Sequence, residues 1–188
     1  MEVFVFSKLN QLEVSVVERA MTVLPASRRE KALRRHTENK RRQSMLAYLL
    51  LIYGLREKTG CLMRPELVGE GKPYIRDWEE LQCSISHCSA AVAAVVDDAP
   101  VGVDIEELRP YQKKLAGFVC SEEELAEIEA SPNPDVAFTV LWTKKESFIK
   151  LHGGSVGPGM KHLSTHFDTV IFETKVGDGW VVTACREK

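Results

Sequence analysis

The segment Val101–Glu106 combines the alternation of a β-strand with two acidic side chains. Because successive side chains of a strand point to opposite faces, Asp104 and Glu106 would share one face with Gly102, away from the β-branched residues. Two carboxylates this close repel each other unless a cation lies between them, and Mg²⁺ binds a few carboxylates together with phosphate oxygens and water. The segment therefore favours a hard-cation site over a solvated strand edge, and Glu107 would lie on the opposite face, outside that site.

The stretch Phe138–Lys150 predicts a helix that carries a second group of charges. At about 100° per residue, its aromatic and aliphatic side chains fall on one arc that is typical of core packing. Lys145 projects into the middle of that arc, and Glu146 and Lys150 lie together at its edge, one turn apart. A lysine in an apolar stripe breaks the binary pattern, which is expected where a site is built. The alternative for Glu146 and Lys150 is an ordinary surface pair.

A third group of charges lies between Arg28 and Arg42, in a chain whose net charge is only −2. Two acidic residues, Glu30 and Glu38, stand there against eight basic residues: Arg28, Arg29, Lys31, Arg34, Arg35, Lys40, Arg41 and Arg42. On charge alone, a solvated helical face explains the segment as well as an anionic partner does. Nucleic acid is the weaker candidate partner, because the segment lacks interleaved aromatic residues and a recognised binding motif. A small ligand that bears phosphate fits better.

Two short polar stretches could add further phosphate ligands. Glycine and proline in Gly69–Ile75 predict a turn, in which Lys72 could meet a phosphate. In the small, polar stretch Cys83–Ser89, Ser86 and His87 could offer a hydroxyl and an imidazole to an anion. Each signal is weak alone, and a structural histidine is the usual alternative for His87.

The elements that would position these residues form an α+β chain. Ala91–Val96 and Val101–Glu106 flank a turn sequence at Asp97–Pro100, which predicts an antiparallel hairpin. A final hairpin is predicted from Phe167–Thr174 and Trp180–Cys185. The order strand–helix–hairpin, then hairpin–helix–hairpin, predicts two similar α/β halves in a pseudo-twofold arrangement, with the active site in the seam. The division would give residues 1–97 the basic helix and residues 98–188 the carboxylates.

Two capping boxes predict helix starts, Ser27 with Glu30 and Ser121 with Glu124. The first helix would run through the basic segment into the apolar stretch Met45–Tyr53, which would be buried.

Composition limits the classes of function. With 188 residues, 44% hydrophobic and 28% charged, the chain fits a soluble globular protein of one domain or two packed halves. The net charge predicts no bulk attraction to nucleic acid or to a membrane. The start lacks the pattern of a signal peptide, and Met45–Tyr53 is too short to span a bilayer. Five cysteines without CxxC spacing indicate free thiols in a reducing cytosol, so a cytoplasmic location is expected.

Taken together, four ordered motifs resemble the 4′-phosphopantetheinyl transferase superfamily. They are Gly71–Pro73, Ser84–His87, Val101–Glu106 and Trp142–Lys150, and the resemblance extends from about Pro25 to Pro158. The arrangement is similar to the monomeric type that activates nonribosomal peptide and polyketide synthetases, including surfactin synthetase. The shorter type that forms trimers for fatty-acid synthesis has only one such half per chain.

This resemblance implies a chemistry and a set of partners. The family transfers the 4′-phosphopantetheine arm of coenzyme A, its co-substrate, to a serine of an apo acyl or peptidyl carrier protein, and 3′,5′-ADP is released. Asp104, Glu106 and Glu146 would hold Mg²⁺ at the coenzyme A pyrophosphate, and Lys150 would contact phosphate and stabilise the leaving group. Residues implied to bind the coenzyme are Arg28, Lys31, Arg42, Lys72, Pro73, Ser86, His87 and Lys150, with His87 close to the 3′-phosphate.

The catalytic residues would be Asp104, Glu146 and Lys150, with Glu146 as the base that takes the serine proton. A metal-bound water could act in its place, and the direct route ranks only slightly ahead. Cys88 stands where the family often has serine, and the short tail leaves peripheral carrier contacts open. The main alternative is a non-catalytic module of the same fold that binds coenzyme A or a carrier protein. A nucleic-acid-binding protein that uses Arg28–Arg42 ranks third, so no nucleic-acid or membrane partner is expected.

Overall fold

The computed structural model describes residues 1–69, 72, 74–154 and 157–188. The helices there are α1 (Val14–Val23), α2 (Ala26–Leu33), α3 (Glu38–Thr59), α4 (Lys113–Val119), α5 (Glu122–Ala130) and α6 (Pro134–Leu151). The strands are β1 (Glu2–Phe6), β2 (Leu67–Val68), β3 (Tyr74–Ile75), β4 (Gln82–His87), β5 (Val92–Asp97), β6 (Val101–Glu107), β7 (Val170–Val176) and β8 (Trp180–Glu187). Leu9–Gln11 and Pro158–Thr169 form 3₁₀ helix. This mixture of helix and antiparallel sheet confirms the α+β class.

Each half of the chain builds a three-stranded antiparallel sheet with the same strand order. The order is β1-β5-β4 in the first sheet and β6-β8-β7 in the second. In both sheets the first strand of the half pairs with its last strand, and a long helix, α3 or α6, precedes the hairpin. The final hairpin is confirmed as β7 and β8. The repeated order is what two similar halves, residues 1–97 and 98–188, would produce, and their pseudo-twofold arrangement stays a prediction.

The hairpin predicted across Asp97–Pro100 is wrong. Strand β5 lies between β1 and β4 with both of its edges paired, and β6 pairs with β8 instead. The turn does form, because Asp97 Oδ1 accepts hydrogen bonds from the backbone N–H groups of Asp98 at 2.8 Å and Ala99 at 3.3 Å. Local turn chemistry therefore sets the bend, but partners from distant parts of the chain decide which sheet each strand joins.

The two sheets meet where β4 lies beside β6. The backbone N–H of Val103 donates to Ser84 Oγ at 3.1 Å, so a side-chain hydroxyl takes the place of a backbone carbonyl. Buried side chains of both sheets form one apolar cluster, which includes Val95, Val103 and Ile105. The apolar face predicted for β6 thus fills the core between the sheets.

The single helix predicted through the basic segment is two helices, α2 and α3. Thr37 begins the second one, because its Oγ1 accepts from the backbone N–H of Lys40 at 3.3 Å. The cap predicted at Ser27 is wrong: Pro25 precedes α2 and no side chain caps that end. Met45 is buried as predicted, but Tyr53 is exposed. No helix in the described part of the chain is long and apolar enough to cross a membrane.

Helix α6 crosses β6 with backbone against backbone. A Cβ atom at Gly102 would lie 2.0 Å from Ser147 O and 2.6 Å from Leu151 N, so no side chain fits at this position. Since Gly102 lies on the same strand face as Asp104, the close crossing brings the end of α6, with Lys150, against that carboxylate. The glycine is therefore part of what builds the site.

Candidate active site

A cavity of about 390 Å³ opens at the seam between the two sheets. It is lined by Arg28, Lys31, Arg35, Ser44, Lys72, Ser84, Ile85, Ser86, His87, Asp104, Glu106, Glu146, Lys150 and Gly154. We call Arg28, Lys31, Arg35, Lys72 and His87 the basic wall, and Asp104, Glu106 and Glu146 the acidic wall. The first half supplies the basic wall and the second half supplies the acidic wall, so the seam separates opposite charges.

Asp104 is the buried centre of the acidic wall, with 2% of its surface exposed. Its Oδ1 accepts hydrogen bonds from Lys150 Nζ at 2.6 Å and from Ser86 Oγ at 2.8 Å. Lys150 Nζ also donates to Ser86 Oγ at 2.9 Å, which closes a triangle across the seam. Asp104 Oδ2 is buried and has no hydrogen-bond partner among the described residues. One oxygen of this carboxylate is therefore occupied and the other is available to a ligand.

The other two carboxylates are pushed toward their protonated forms. Burial raises the pKa of Glu106 to about 7, and the nearby charges of Asp104 and Glu146 add to the effect. Burial, followed by Asp104, also raises the pKa of Glu146, against the opposite effect of Lys150. Like charges gathered in a partly buried site need a cation or a proton to balance them.

A hard cation needs oxygen ligands that lie close together. Among the described residues, no three His, Cys, Asp or Glu side chains converge as a ready-made metal cluster. The donor set does suit Mg²⁺, because the acidic wall offers carboxylate oxygens only and the orphaned Asp104 Oδ2 is an unused ligand. The donor types therefore fit a hard cation, and Asp104 Oδ2 is the ligand position that is open to it.

Arg28 is the most deeply placed cation of the basic wall. Its guanidinium lies 5.0 Å from the ring centroid of Tyr48, and the Tyr48 hydroxyl is in turn held by the carbonyl of Pro65. Arg28 Nε is buried and unpaired within the described residues, and burial lowers the pKa of the guanidinium below its usual value. An anion in the cavity would supply the missing acceptor.

Two lysines continue this wall. Burial lowers the pKa of Lys31, and the neighbouring charges of Arg28 and Arg35 lower it further. Burial also lowers the pKa of Lys72, whose Nζ donates to the carbonyl of Leu151 at 3.0 Å. Partly buried cations of this kind favour an anionic ligand beside them.

His87 lies on the basic wall at the end of β4. Burial lowers its pKa, and the charges of Arg35 and Lys150 lower it further, so the surroundings disfavour the charged imidazole. A bound phosphate would raise this pKa and favour the charged imidazole.

The structure brings nearly all of the predicted site residues into one cavity. Arg42 is outside it: its guanidinium donates to the carbonyl of Leu9 at 3.3 Å and lies 3.6 Å from Glu38. This geometry gives no support to a role for Arg42 in coenzyme binding. Pro73, like Gly71, lies outside the described residues.

Lys145, the break in the apolar stripe, belongs to the core and not to the cavity. Its Nζ donates to Glu124 Oε2 at 2.6 Å, to the carbonyl of Val119 at 2.7 Å and to that of Met160 at 2.8 Å. The capping box at Ser121 is confirmed, because Glu124 Oε2 also accepts from the Ser121 backbone N–H at 2.7 Å. Glu124 therefore caps α5 and anchors α6 at the same time.

The sequence reasoning missed several residues of the cavity. Arg35 could have been found, because Arg28, Lys31 and Arg35 are spaced by three and four residues and so share one side of a helical turn. Ser44 and Gly154 carry no signal of this kind, since the fold alone brings them to the seam.

Comparisons with known proteins find similarity to one family. A family model described as the 4′-phosphopantetheinyl transferase superfamily matches residues 100–185. The 4′-phosphopantetheinyl transferase psf-1 of Bacillus pumilus is 33% identical over 124 residues, covering 63% of this chain and 53% of the relative. A 4′-phosphopantetheinyl transferase of Bacillus subtilis is 30% identical over 145 residues, covering 72% of this chain and 63% of the relative.

The chain thus spans little more than half to about three-fifths of the length of these relatives. Among solved structures, holo-[acyl-carrier-protein] synthase from Neisseria meningitidis matches 47% of this chain and 98% of its own, at 18% identity. Its TM-score of 0.39 is too low to support an argument about the fold.

Proposed function

We propose that this chain, whose residues 100–185 match the family model of the 4′-phosphopantetheinyl transferase superfamily, transfers the phosphopantetheine arm of coenzyme A to a carrier protein. The acceptor would be a serine hydroxyl of an apo acyl or peptidyl carrier protein, and the released product would be 3′,5′-ADP. The observation that carries the proposal is the cavity at the seam, in which an acidic wall with an unused carboxylate oxygen faces a basic wall.

The two walls suit the two phosphate groups of coenzyme A. The 3′-phosphate would bind the basic wall, where Arg28, Lys31 and His87 make no ion pair within the described part of the chain and where the buried Arg28 Nε has no acceptor there. The pyrophosphate would then lie toward the acidic wall, beside Lys150. This orientation places the bond that breaks near the carboxylates and keeps the adenosine end among the cations.

Asp104, Glu106 and Glu146 would hold a divalent cation, for which we favour Mg²⁺. When bound, such a cation neutralises charge on the pyrophosphate and on the leaving phosphate. Asp104 Oδ2 has no partner among the described residues and could take this role, and the repulsion that adds to burial in raising the pKa values of Glu106 and Glu146 would be relieved.

In the reaction, the serine oxygen bonds to the phosphorus that carries the pantetheine arm. The bond from that phosphorus to the bridging oxygen breaks, and the bridging oxygen leaves with 3′,5′-ADP. Glu146 would take the serine proton, since its raised pKa makes it a better proton acceptor than an ordinary surface carboxylate. The Lys150 side chain is partly buried and borders the cavity. It would exchange its contact with Asp104 for one with the leaving group, whose negative charge it would stabilise.

We further propose that the enzyme acts as a cytoplasmic monomer on carriers of peptide or polyketide synthesis. A monomer suffices because both walls of the cavity come from a single chain.

The proposal is tested by incubating the protein with an apo carrier protein, coenzyme A and Mg²⁺, and by weighing the carrier by mass spectrometry. The carrier should gain the mass of one phosphopantetheine, and removal of divalent cations with EDTA should stop the reaction. Asp104→Ala is the matched control and should leave the carrier unmodified. A protein that binds coenzyme A by calorimetry but modifies no carrier would be a binding module and not a transferase.

A further inference from the structure

Arg28 is supported in the basic wall by an aromatic ring and not by a carboxylate. It is 6% exposed, and it makes no ion pair within the described part of the chain. Its guanidinium lies 5.0 Å from the centroid of the Tyr48 ring. The face of an aromatic ring attracts a cation, and the attraction is larger where water is excluded. The Tyr48 ring therefore stabilises a cation that is otherwise costly to bury.

Tyr48 itself lies outside the cavity. It is fully buried, and it is not one of the residues that line the seam. Ser44 does line the cavity and stands four residues earlier on α3, so Tyr48 lies one turn further along the same side of that helix. A ligand in the cavity would therefore feel Tyr48 only through Arg28.

The ring of Tyr48 is held in one place. It packs in a buried apolar cluster with Ala20, Leu24 and Met45. Its hydroxyl donates to the carbonyl of Pro65 at 2.5 Å. Burial raises the pKa of this hydroxyl to about 12, so it keeps the proton that it donates. A buried ring that is also tied at its hydroxyl keeps one orientation, and it can fix the position of the guanidinium that lies against it.

An aromatic support has a consequence for anion binding. A carboxylate beside Arg28 would accept the guanidinium hydrogens and balance the positive charge, leaving less of both for a phosphate. A ring face attracts the cation without balancing its charge. Arg28 Nε accordingly has no acceptor among the residues that the structure describes. The ring thus holds Arg28 in place and leaves its charge and its donors for a ligand.

We propose that Tyr48 is a positioning residue for the 3′-phosphate of coenzyme A: its ring, and not its hydroxyl, holds Arg28 in the orientation that binds this phosphate. The inference rests on the proposed function, which places the 3′-phosphate on the basic wall. The alternative is a purely structural tyrosine, whose loss would lower stability and weaken all ligands alike.

The test compares the binding of coenzyme A with that of dephospho-coenzyme A, which has no 3′-phosphate, by calorimetry on the full chain. Tyr48→Leu removes the ring and should weaken coenzyme A binding about tenfold to thirtyfold, the worth of a desolvated cation–π contact. The Kd of dephospho-coenzyme A should hardly change. Tyr48→Phe keeps the ring and should bind both ligands as wild type does. In steady-state transfer, Tyr48→Leu should raise KM for coenzyme A with little change in kcat.

A nearly isosteric variant separates the charge distribution of the ring from its packing. Fluorine atoms on a phenylalanine at position 48 withdraw electron density from the ring face with little change in volume. This variant should therefore bind coenzyme A more weakly than Tyr48→Phe does, with dephospho-coenzyme A unaffected. Leu51→Ala is the control for lost packing, because Leu51 is fully buried on the same helix and does not line the cavity. It should lower stability and leave the ratio of the two Kd values unchanged.

A double-mutant cycle tests whether Tyr48 acts through Arg28. Arg28→Gln removes the cation, so the ring has nothing left to position. In that background, Tyr48→Leu should cause no further loss of phosphate-dependent affinity. Additive losses would show that Tyr48 contributes by another route, and they would overturn the proposed role.

The remaining outcomes also decide the inference. Equal weakening of both ligands by Tyr48→Leu, or no weakening at all, would overturn the positioning role. A loss in Tyr48→Phe as large as in Tyr48→Leu, or no loss on fluorination, would show that the ring face is not what matters. Wild type that binds the two ligands equally would refute the placement of the 3′-phosphate, and this inference with it. Phosphate-dependent binding without transfer to a carrier would refute the proposed transferase and leave the role of Tyr48 standing.

Discussion

Helix α6 carries two lysine–carboxylate pairs whose geometry is nearly the same and whose surroundings differ. The Nζ–O distance is 2.6 Å both for Lys145 with Glu124 and for Lys150 with Asp104. In both pairs the second carboxylate oxygen is buried without a partner among the described residues. Distance alone therefore does not tell which pair belongs to the active site.

What distinguishes the pairs is where the rest of each ammonium group points. The Lys145 side chain is 1% exposed, and two backbone carbonyls, of Val119 and Met160, fill its remaining hydrogen-bonding positions. The Lys150 side chain is 30% exposed, faces the cavity and shares a hydroxyl with Asp104. A fully satisfied ammonium holds segments together, whereas one that borders a cavity can exchange its partner for a ligand.

The largest effect on activity is expected at Asp104, the partner of Lys150. Asp104→Ala should reduce transfer at least about a thousandfold, because it removes a ligand of the proposed cation and the partner of Lys150. Circular dichroism should show the normal content of helix and sheet. Glu107→Ala, on the opposite strand face and paired with Arg109, is the control and should keep most activity. Wild-type turnover in Asp104→Ala would refute the metal assignment.

The next largest effect is expected on stability, in the pair of Lys145 with Glu124. Lys145→Ala leaves Glu124 buried without its counter-charge, which costs about 3–5 kcal/mol in the free energy of unfolding. Denaturant titration measures the loss. Lys150→Ala should cost much less stability, since that side chain is partly exposed. The contrast between the lysines fails if the two variants lose equal stability.

A matched double variant sharpens this second prediction. Lys145→Met combined with Glu124→Leu removes both charges and keeps the side-chain volume, so much of the lost stability should return. No recovery would indicate that the stability comes from the other contacts of these side chains, which are the carbonyls of Val119 and Met160 and the cap of α5.

Glu146→Gln should lower turnover about a hundredfold, the range of a general acid–base group. The substitution keeps size and helix propensity, so the melting temperature should stay close to that of wild type. Steady-state kinetics provides the measurement. Normal turnover in Glu146→Gln would refute the role of Glu146 as the base.

His87→Ala and Lys31→Ala should weaken coenzyme A binding about ten- to a hundredfold, the worth of one charge-assisted hydrogen bond. The same variants should hardly change the binding of dephospho-coenzyme A, which lacks the 3′-phosphate. Calorimetry on both ligands gives the coupling between residue and phosphate. Equal losses for the two ligands would show that neither side chain contacts that phosphate.

The smallest effect is a pH dependence of stability at Glu106. With its pKa raised to about 7, this carboxyl holds its proton longer in the folded protein than in the unfolded chain, where its ordinary pKa is 4.5. Since the folded state binds more protons between these values, the free energy of unfolding falls as pH rises through this window. Glu106→Gln should therefore be more stable than wild type above pH 7, by about 1 kcal/mol because solvent screens a partly exposed group.

This difference should be nearly absent at pH 4, where the carboxyl is protonated in both states. Thermal denaturation of wild type and Glu106→Gln across this range is the measurement. A difference that grows toward low pH would contradict the direction of the pKa shift.

The two lysines also show which features of the site could be predicted from the sequence. Periodicity placed Lys145 inside the apolar stripe, and that position is correct, but its interpretation as a sign of a site was wrong. Its partners Glu124 and Met160 are 21 and 15 residues away in the chain, so no local pattern identifies them. Asp104 and Glu106 were recognisable because strand alternation alone puts two carboxylates on one face.

The wrong predictions share one cause: the sequence of a short segment does not show which distant segment it will pack or pair with. The turn at Asp97 forms as its sequence indicates, but β8 is the partner of β6 and lies about 80 residues further on. Arg42 is basic like its neighbours, but the fold directs it toward Leu9. Residues whose role depends on one strand or one helical turn were predictable, and residues whose role depends on the packing of two elements were not.

Gly102 gives the site its dimensions. Where two backbones touch, the gap between helix and strand is set by atomic radii, and repacking of neighbouring side chains cannot adjust it. A methyl group at this position would have to move from 2.0 Å to an ordinary contact with Ser147 O, which displaces α6 by more than an ångström. A displacement of that size would break the 2.6 Å contact between Lys150 and Asp104. The absence of a side chain at Gly102 thus fixes the distance between α6 and β6, and with it how far Lys150 reaches into the cavity.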